Sequence, residues 1–400
     1  MDSLSLDPVI KFTNSVLYEA VKRRSSDIFI EPEEKNLRVR YRIDGLLQEG
    51  AMTTQALHGG IISRIKVMAS LDIAEHRIPQ DGRFRIKVED KEVDFRVSVL
   101  PTYFGEKVVL RVLDKSQSSL DIEQLGFEDS TLKSLKKSAE HPHGMILICG
   151  PTGAGKTTTL YSVLKLLDRP DKNIVTVEDP VEFRIHGINQ VAIRPEVKLT
   201  FASALRSILR QDPDIIMVGE IRDFETADVA IKAALTGHMV LSTLHATTAV
   251  GAVTRLVNIG IEPFLITSSL LLVGSQRLVR RVCQKCQEGY EPSEELLEQL
   301  GVPEKSSKTE KFVFHRGRGC EACGKKGYLG RAVLLETLLL SPAVREMILK
   351  GAQEFQLKEL GRREGMKTMR EDGIAKILKG ITTPEEVMRV TVSDEAKSTP

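Results

Sequence analysis

The chain has 400 residues, more than one ordinary domain needs, which suggests two or three. An apolar content of 41% suffices for a buried core, and 28% charged residues is the share of an ordinary soluble protein. The net charge of +2, the lack of Trp and the 5% aromatic content exclude a globally basic nucleic-acid binder with base-stacking platforms, so no nucleic-acid partner is expected.

The first eight residues carry two acids and no basic stretch, unlike a secretory leader. The most apolar window, 264–273, is too short to span a bilayer and contains Thr267, Ser268 and Ser269. The expectation is a cytoplasmic protein that reaches a membrane only through partners.

Residues 1–115 alternate apolar and polar positions in Asp27-Ile-Phe-Ile-Glu31, Leu37-Arg-Val-Arg-Tyr-Arg42, Phe84-Arg-Ile-Lys-Val88 and Val93-Asp-Phe-Arg-Val97, the pattern of half-buried strands. Helical runs occupy 10–23 and 57–69, and Asp44-Gly45 and Asp81-Gly82 mark turns. This is an α+β domain. The polar, Ser-rich stretch after Asp114 places a linker at 116–128.

From 129 to 280 the pattern changes. Continuous apolar runs at 145–149, 174–177, 215–218 and 239–242 alternate with helices, as in a mostly parallel α/β sheet covered on both faces. Phe201, Leu205, Ile208 and Leu209 follow helical spacing, Thr200 is the N-cap and Asp212-Pro-Asp214 stops the helix. Cys149 closes the first run as a small core residue.

That run leads into Gly150-Pro-Thr-Gly-Ala-Gly-Lys-Thr157, and a helix-forming stretch, 158–167, follows. Strand, glycine loop and helix together make a phosphate-binding context. Gly150, Gly153 and Gly155 let backbone N–H groups close around phosphate oxygens that a Cβ would obstruct. Pro151, Thr152, Ala154 and Thr158 complete the nucleotide-binding stretch. Lys156 is placed to reach the β- and γ-phosphates and the Thr157 hydroxyl to ligate Mg²⁺, so binding and hydrolysis of a nucleoside triphosphate are expected.

Glu220 ends the apolar strand 215–220 behind Gly219, where an Asp is more usual, and can orient Mg²⁺ or its bound water. Glu178 and Asp179 end another strand, and Glu178 is the candidate base for the attacking water. His238 and His245 flank the run 239–244. Two roles stay open for them, structural or γ-phosphate-sensing.

Cys283-Gln-Lys-Cys286 and Cys320-Glu-Ala-Cys323 form paired C-x-x-C knuckles. In a cytosolic chain they read as a structural, tetrahedral Cys₄ zinc site in a subdomain at 281–332. Arg277, Arg280, Arg281, Lys285, Lys325 and Lys326 read as a solvated rim in preference to a face for an acidic partner. Residues 333–400 read as helical, with a capping-box start and Pro at the first helical position in Thr383-Pro-Glu-Glu386.

Together these residues resemble the secretion and type IV pilus assembly ATPases, over about residues 24–390. Ser25-Ser-Asp-Ile-Phe-Ile-Glu-Pro32 is similar to the family's opening motif, with Phe29 where His is usual. Arg77-Ile-Pro-Gln-Asp-Gly-Arg83 and Leu100-Pro-Thr-Tyr-Phe-Gly-Glu-Lys107 are also family-like. The resemblance implies a RecA-like P-loop core behind an N-terminal α+β (PAS-like) domain, a Cys₄ zinc subdomain and a C-terminal helical region. It further implies ATP, Mg²⁺ and Zn²⁺ as cofactors and a homo-hexamer at the inner-membrane face.

Glu178 and Asp179 fall in the family's aspartate box, which makes Glu178 the base. Gly219-Glu220 falls in its Walker B and 237–245 in its histidine box. Arg96 and Arg111 match arginines offered to the nucleotide; spacing alone makes them strand-surface residues. The cysteine knuckles point to the assembly side of the family and away from retraction motors. Family members typically carry a further N-terminal domain that docks on an inner-membrane partner, and this chain starts at the domain after it. The expectation is a type II secretion motor, with a type IV pilus or competence pseudopilus ATPase next. A nucleic-acid motor and a non-hydrolysing, nucleotide-gated scaffold are the alternatives of other classes.

Overall fold

The computed structural model describes residues 7–113, 121–302 and 312–392. The chain divides into two compact units, Met1–Ser118 and Ser119–Pro400.

The first unit opens with α1 (Pro8–Lys22), capped by the Asp7 side chain, which accepts from the Val9 N–H at 2.8 Å. Then come β1 (Asp27–Pro32), β2 (Asn36–Ile43), β3 (Leu46–Thr54), α2 (His58–Met68), β4 (Gln80–Val88), β5 (Lys91–Thr102) and β6 (Gly105–Leu113). The strands form one antiparallel sheet in the order β3-β2-β1-β6-β5-β4. Alternate residues point inward, and Ile28, Ile30, Val39, Phe95 and Val97 bury against Val16, Leu17 and Ile61 of the two helices. The opposite face keeps the polar residues. Asp44 and Gly45 both have positive φ, 49° and 86°, and make the tight turn from β2 to β3.

Asp81-Gly82 is not a turn. Both residues lie inside β4, with Gly82 opposite Val97. Glycine is required there because a Cβ would stand 2.8 Å from the Ala69 carbonyl oxygen at the end of α2. The hairpin instead turns at Glu89, with φ 53°.

In the second unit a 3₁₀ turn at Ile122–Leu125 packs Ile122 into the core, within the stretch expected as linker; residues 114–120 lie outside the described residues. The central sheet follows: α3 (Asp129–Ala139), β7 (Gly144–Cys149), α4 (Lys156–Leu167), β8 (Ile174–Glu178), β9 (Asn189–Ala192), α5 (Phe201–Ile208), β10 (Ile215–Ile221), α6 (Phe224–Leu235), β11 (Met239–Leu244), α7 (Ala249–Ile259), α8 (Pro263–Ser269) and β12 (Leu270–Val282). Beyond it lie β13 (Gln287–Tyr290), α9 (Glu294–Leu300), β14 (Phe314–Gly317), β15 (Tyr328–Leu339), α10 (Pro342–Leu349), α11 (Glu354–Arg363), α12 (Met369–Leu378) and α13 (Pro384–Val390).

The sheet order is β15-β12-β7-β11-β10-β8-β9, parallel except for β15. Met145, Leu147 and Cys149 face one apolar core and Ile146 and Ile148 the other, so all of β7 is buried. The helical C-terminal region begins later than expected. β15 runs from Tyr328 to Leu339 against β12, and helix resumes only at Pro342. Thr383 is the N-cap of α13, but the capping box is absent. Its hydroxyl meets the Tyr328 hydroxyl at 2.9 Å, and Glu386 accepts from Arg280 and Arg389.

Gly82→Ala should destabilise the first unit by about 1–3 kcal/mol, the cost of overpacking against a backbone that cannot yield, measured as a lower denaturant midpoint.

Candidate active site

The glycine loop leaves the carboxyl end of β7 and enters α4. Gly150, Gly153 and Gly155 have φ of 146°, 78° and 84°, values that L side chains rarely adopt. Space is restrictive as well: a Cβ on Gly150 would stand 2.5 Å from the Gln276 carbonyl oxygen on β12. Gln276 is fully buried; its Nε2 donates to the Ala154 carbonyl at 2.7 Å and its Oε1 accepts from the Thr159 hydroxyl at 2.8 Å. Lys156 Nζ donates to the carbonyls of Gly150 and Pro151 at 2.7 and 3.1 Å. Burial holds the pKa of Lys156 down, and the Arg277 charge adds to this. Thr157 and Thr158 begin α4 half-buried at the mouth of the loop.

β8, β10 and β11 bring their carboxyl ends to the same edge of the sheet as the loop. Gly219 lets β10 approach β8 closely: a Cβ would stand 3.2 Å from the Val177 carbonyl oxygen. Glu220 pairs with Arg222 at 2.6 Å, and His245 Nε2 lies 3.5 Å from its other oxygen. Glu178 is buried, bonded by the Tyr161 hydroxyl, by Thr176 at 2.6 Å and by Gln190 at 3.1 Å. Burial raises its pKa, and the three donors work against that rise.

The two histidines separate. His245 follows the carboxyl end of β11, whereas His238 precedes its first residue, beside Gly144 at the start of β7. Seven residues of extended chain put about 23 Å between them. His238 Nδ1 sits 2.9 Å from the Ala233 carbonyl at the end of α6. Within the unit His238 therefore lies at the end of β11 away from the loop, and of the two histidines His245 stands at the loop's edge of the sheet.

In the first unit Arg96 and Arg111 are direct cross-strand neighbours on β5 and β6. Arg111 also pairs with Asp27 at 3.4 Å. Phe29, in the family's usual His position, carries Arg42 and Lys107 over its ring at 5.3 and 5.7 Å.

Cys283, Cys286, Cys320 and Cys323 gather with all four Sγ atoms within 4.8 Å of one another. The Cys283–Cys320 and Cys286–Cys323 pairs are 3.9 Å apart and Cys320–Cys323 3.8 Å. Tetrahedral zinc with Zn–S of about 2.3 Å requires S···S of about 3.8 Å. Backbone N–H groups of Gly319, Cys320 and Gly327 point at the sulfurs from 3.2–3.3 Å, a second shell that favours thiolate. Within this cluster burial pushes the Cys286 thiol up, while against burial the N–H groups of Cys320 and Gly327, with the neighbouring thiols of Cys320 and Cys286, pull the Cys323 thiol down. The donor set therefore fits a structural zinc ion. The solvated rim is smaller than expected. Arg280 pairs with Glu386 at 2.8 Å and lies 3.9 Å above the Tyr328 ring, and Arg277 is half-buried beside the loop.

The model of the type II/IV secretion system protein family matches residues 2–389. The chain belongs to this family. It is 51% identical to the Type IV pilus assembly ATPase PilB of Myxococcus xanthus, over 97% of this chain and 68% of that one. It is 50% identical to the Type II secretion system ATPase E of Vibrio cholerae, over 96% and 75%. Its fold is that of the Legionella pneumophila ATPase DotB, with a TM-score of 0.69 at 21% identity, covering 98% of this chain and 97% of that one. Among the described residues no helix is long and apolar enough to cross a membrane.

Sequence reasoning within this secretion family missed Gln276, Tyr161 and Gln190. Tyr161 had a signal: it lies five residues after Lys156, on the α4 face that turns inward. Gln276 had none, since it lies in a strand far along the chain from Ala154 and Thr159, and Gln190 carries no motif although Glu178 is only 12 residues before it.

Tyr161→Phe removes a donor that favours the Glu178 carboxylate, so the Glu178 pKa should rise further. The acid limb of the turnover–pH profile should move to higher pH, read from steady-state rates across pH. Removing the metal with a chelator, or Cys320→Ser, should lower the melting temperature of the second unit, while metal analysis of the wild-type protein finds one zinc per chain.

Proposed function

We propose that this chain is a cytoplasmic ATPase motor of the type II secretion kind, which hydrolyses ATP to drive pseudopilus assembly and protein export. The observation that carries this reading is the 150–158 loop, standing at the same sheet edge as Glu178, Glu220 and His245. Family membership supports it, since the relatives at 50–51% identity are named secretion and pilus ATPases.

Loop N–H groups and Lys156 hold the phosphates. Exchanging two neutral carbonyls for charged oxygens strengthens every bond Lys156 makes. Thr157 and Glu220 would hold Mg²⁺, which neutralises phosphate charge when bound. Glu178 accepts the proton of the attacking water, and its burial keeps it basic enough for that task. Arg96 and Arg111 stabilise charge on the γ-phosphate. The four cysteines hold zinc as a structural clamp. The division into α+β domain, ATPase core, zinc subdomain and C-terminal helices belongs to the same proposal, as does a homo-hexamer bound by inner-membrane components of the machine.

A type IV pilus assembly role is the second reading, favoured by PilB at 51% identity against 50% for the secretion ATPase. Restoration of secretion, or of piliation, in the corresponding deletion strain separates the two.

Glu178→Gln should lower turnover by about 10²–10⁴-fold, the usual contribution of a general base, with ATP affinity retained. Wild-type turnover in that variant removes Glu178 from the role. Native mass should rise to six chains with a non-hydrolysable ATP analogue.

A further inference from the structure

One cation beside the phosphate loop has no part in the reading above. Arg277 follows Gln276 on β12, and its Nη1 donates to the Gln276 carbonyl at 3.0 Å. The same nitrogen lies 3.4 Å from where a Cβ on Gly150 would stand, so the guanidinium covers the first residue of the loop. Among the described residues no carboxylate pairs with it within 4.0 Å. Glu336 and Cys149 act on it only at a distance, and burial lowers its pKa. Glu336 itself is committed to the Ala249 N–H, at 2.8 Å.

Arg277 and Lys156 are thus two half-buried cations side by side, each bonded to neutral carbonyls. Desolvated like charges are costly unless an anion joins them. An arginine offers five donors in a fork suited to phosphate, and among the described residues Arg277 uses one of them, on the Gln276 carbonyl.

The sheet order decides which part of a nucleotide it meets. β12 flanks β7 on the side away from β11, β10 and β8. Those three strands carry His245, Glu220 and Glu178, so bond cleavage and the γ-phosphate belong to their side. We propose that Arg277 is a nucleotide ligand on the β12 side of the loop, with its guanidinium on the α- and β-phosphates that ADP and ATP share. This rests on reading the 150–158 loop as a nucleotide site. A contact to phosphates that both nucleotides carry contributes alike to ADP and ATP affinity.

The test uses the full chain and fluorescent ADP and ATP analogues. Arg277→Met keeps the aliphatic stem and removes the fork. The dissociation constants for both nucleotides should rise by the same factor, about 10–100-fold, as expected for losing a charge-assisted hydrogen bond. The nucleotide-free variant should melt no lower than wild type, since a desolvated like-charge contact is gone, while its ADP-induced rise in melting temperature shrinks. Unchanged ADP affinity in the folded variant overturns the proposal. So does a loss confined to ATP, which puts the arginine on the γ-phosphate. If Arg277→Met does not fold, Arg277→Gln carries the same measurement. Wild-type protein that binds neither nucleotide refutes the ATPase reading itself, whereas wild-type binding matched by the variant, or a loss confined to ATP, refutes Arg277 alone.

Discussion

The buried amide of Gln276 is the contact on which the active-site edge depends. It donates to the carbonyl of Ala154 in the loop and accepts from Thr159 in the helix that follows. One side chain thereby fixes both ends of the turn against β12. Glycines let the loop take its positive φ values, and a neutral amide anchors it without placing charge under the phosphate site. Gly150 is the other half of that contact, since any larger residue would push the loop off the Gln276 carbonyl.

Around this anchor the parallel sheet sorts the chemistry by strand. β7 delivers the loop, β10 and β11 deliver Glu220 and His245 within 3.5 Å of each other, and β8 delivers Glu178 in a neutral cage of Tyr161, Thr176 and Gln190. The two carboxylates have different surroundings. Glu220 sits between an arginine and a histidine, whereas burial raises the pKa of Glu178. Two acids with divergent environments are the usual way one site separates a metal-organising role from a proton-accepting one.

Much of this was legible in the sequence where a local rule and the tertiary structure agree. The run 145–149 is continuous and apolar because β7 is covered on both faces, and Thr200 caps α5 as expected, with Ser203 completing a capping box that the sequence reading did not name. Legibility failed where a residue answers to a distant neighbour. Gly82 looks like a turn glycine, yet it yields space to Ala69. Thr383 looks like a capping threonine, yet Tyr328 claims its hydroxyl. The apolar run at 332–340 has no two-residue period because β15 is buried on both faces for most of that length, so nothing local separates it from a helix. His238 and His245 bracket one strand in the sequence, and only the strand's length reveals that they belong to opposite edges of the sheet.

β12 connects two features that are distant in kind. Gln276 stands near its middle and Cys283 follows directly after its end, seven residues and about 23 Å further along. A single extended strand therefore runs from the nucleotide loop to the sulfur cluster, braced by β15 with one register shift in the pairing, between Arg280 and Val282. Because side chains alternate along such a strand, its spacing cannot drift. Adding or deleting one residue between the two would turn either the amide away from the loop or the thiol away from its three companions. The interval from 276 to 283 thus behaves as a fixed ruler, and length changes in this family should be tolerated between the knuckles, where the chain leaves the sheet, and not along this strand.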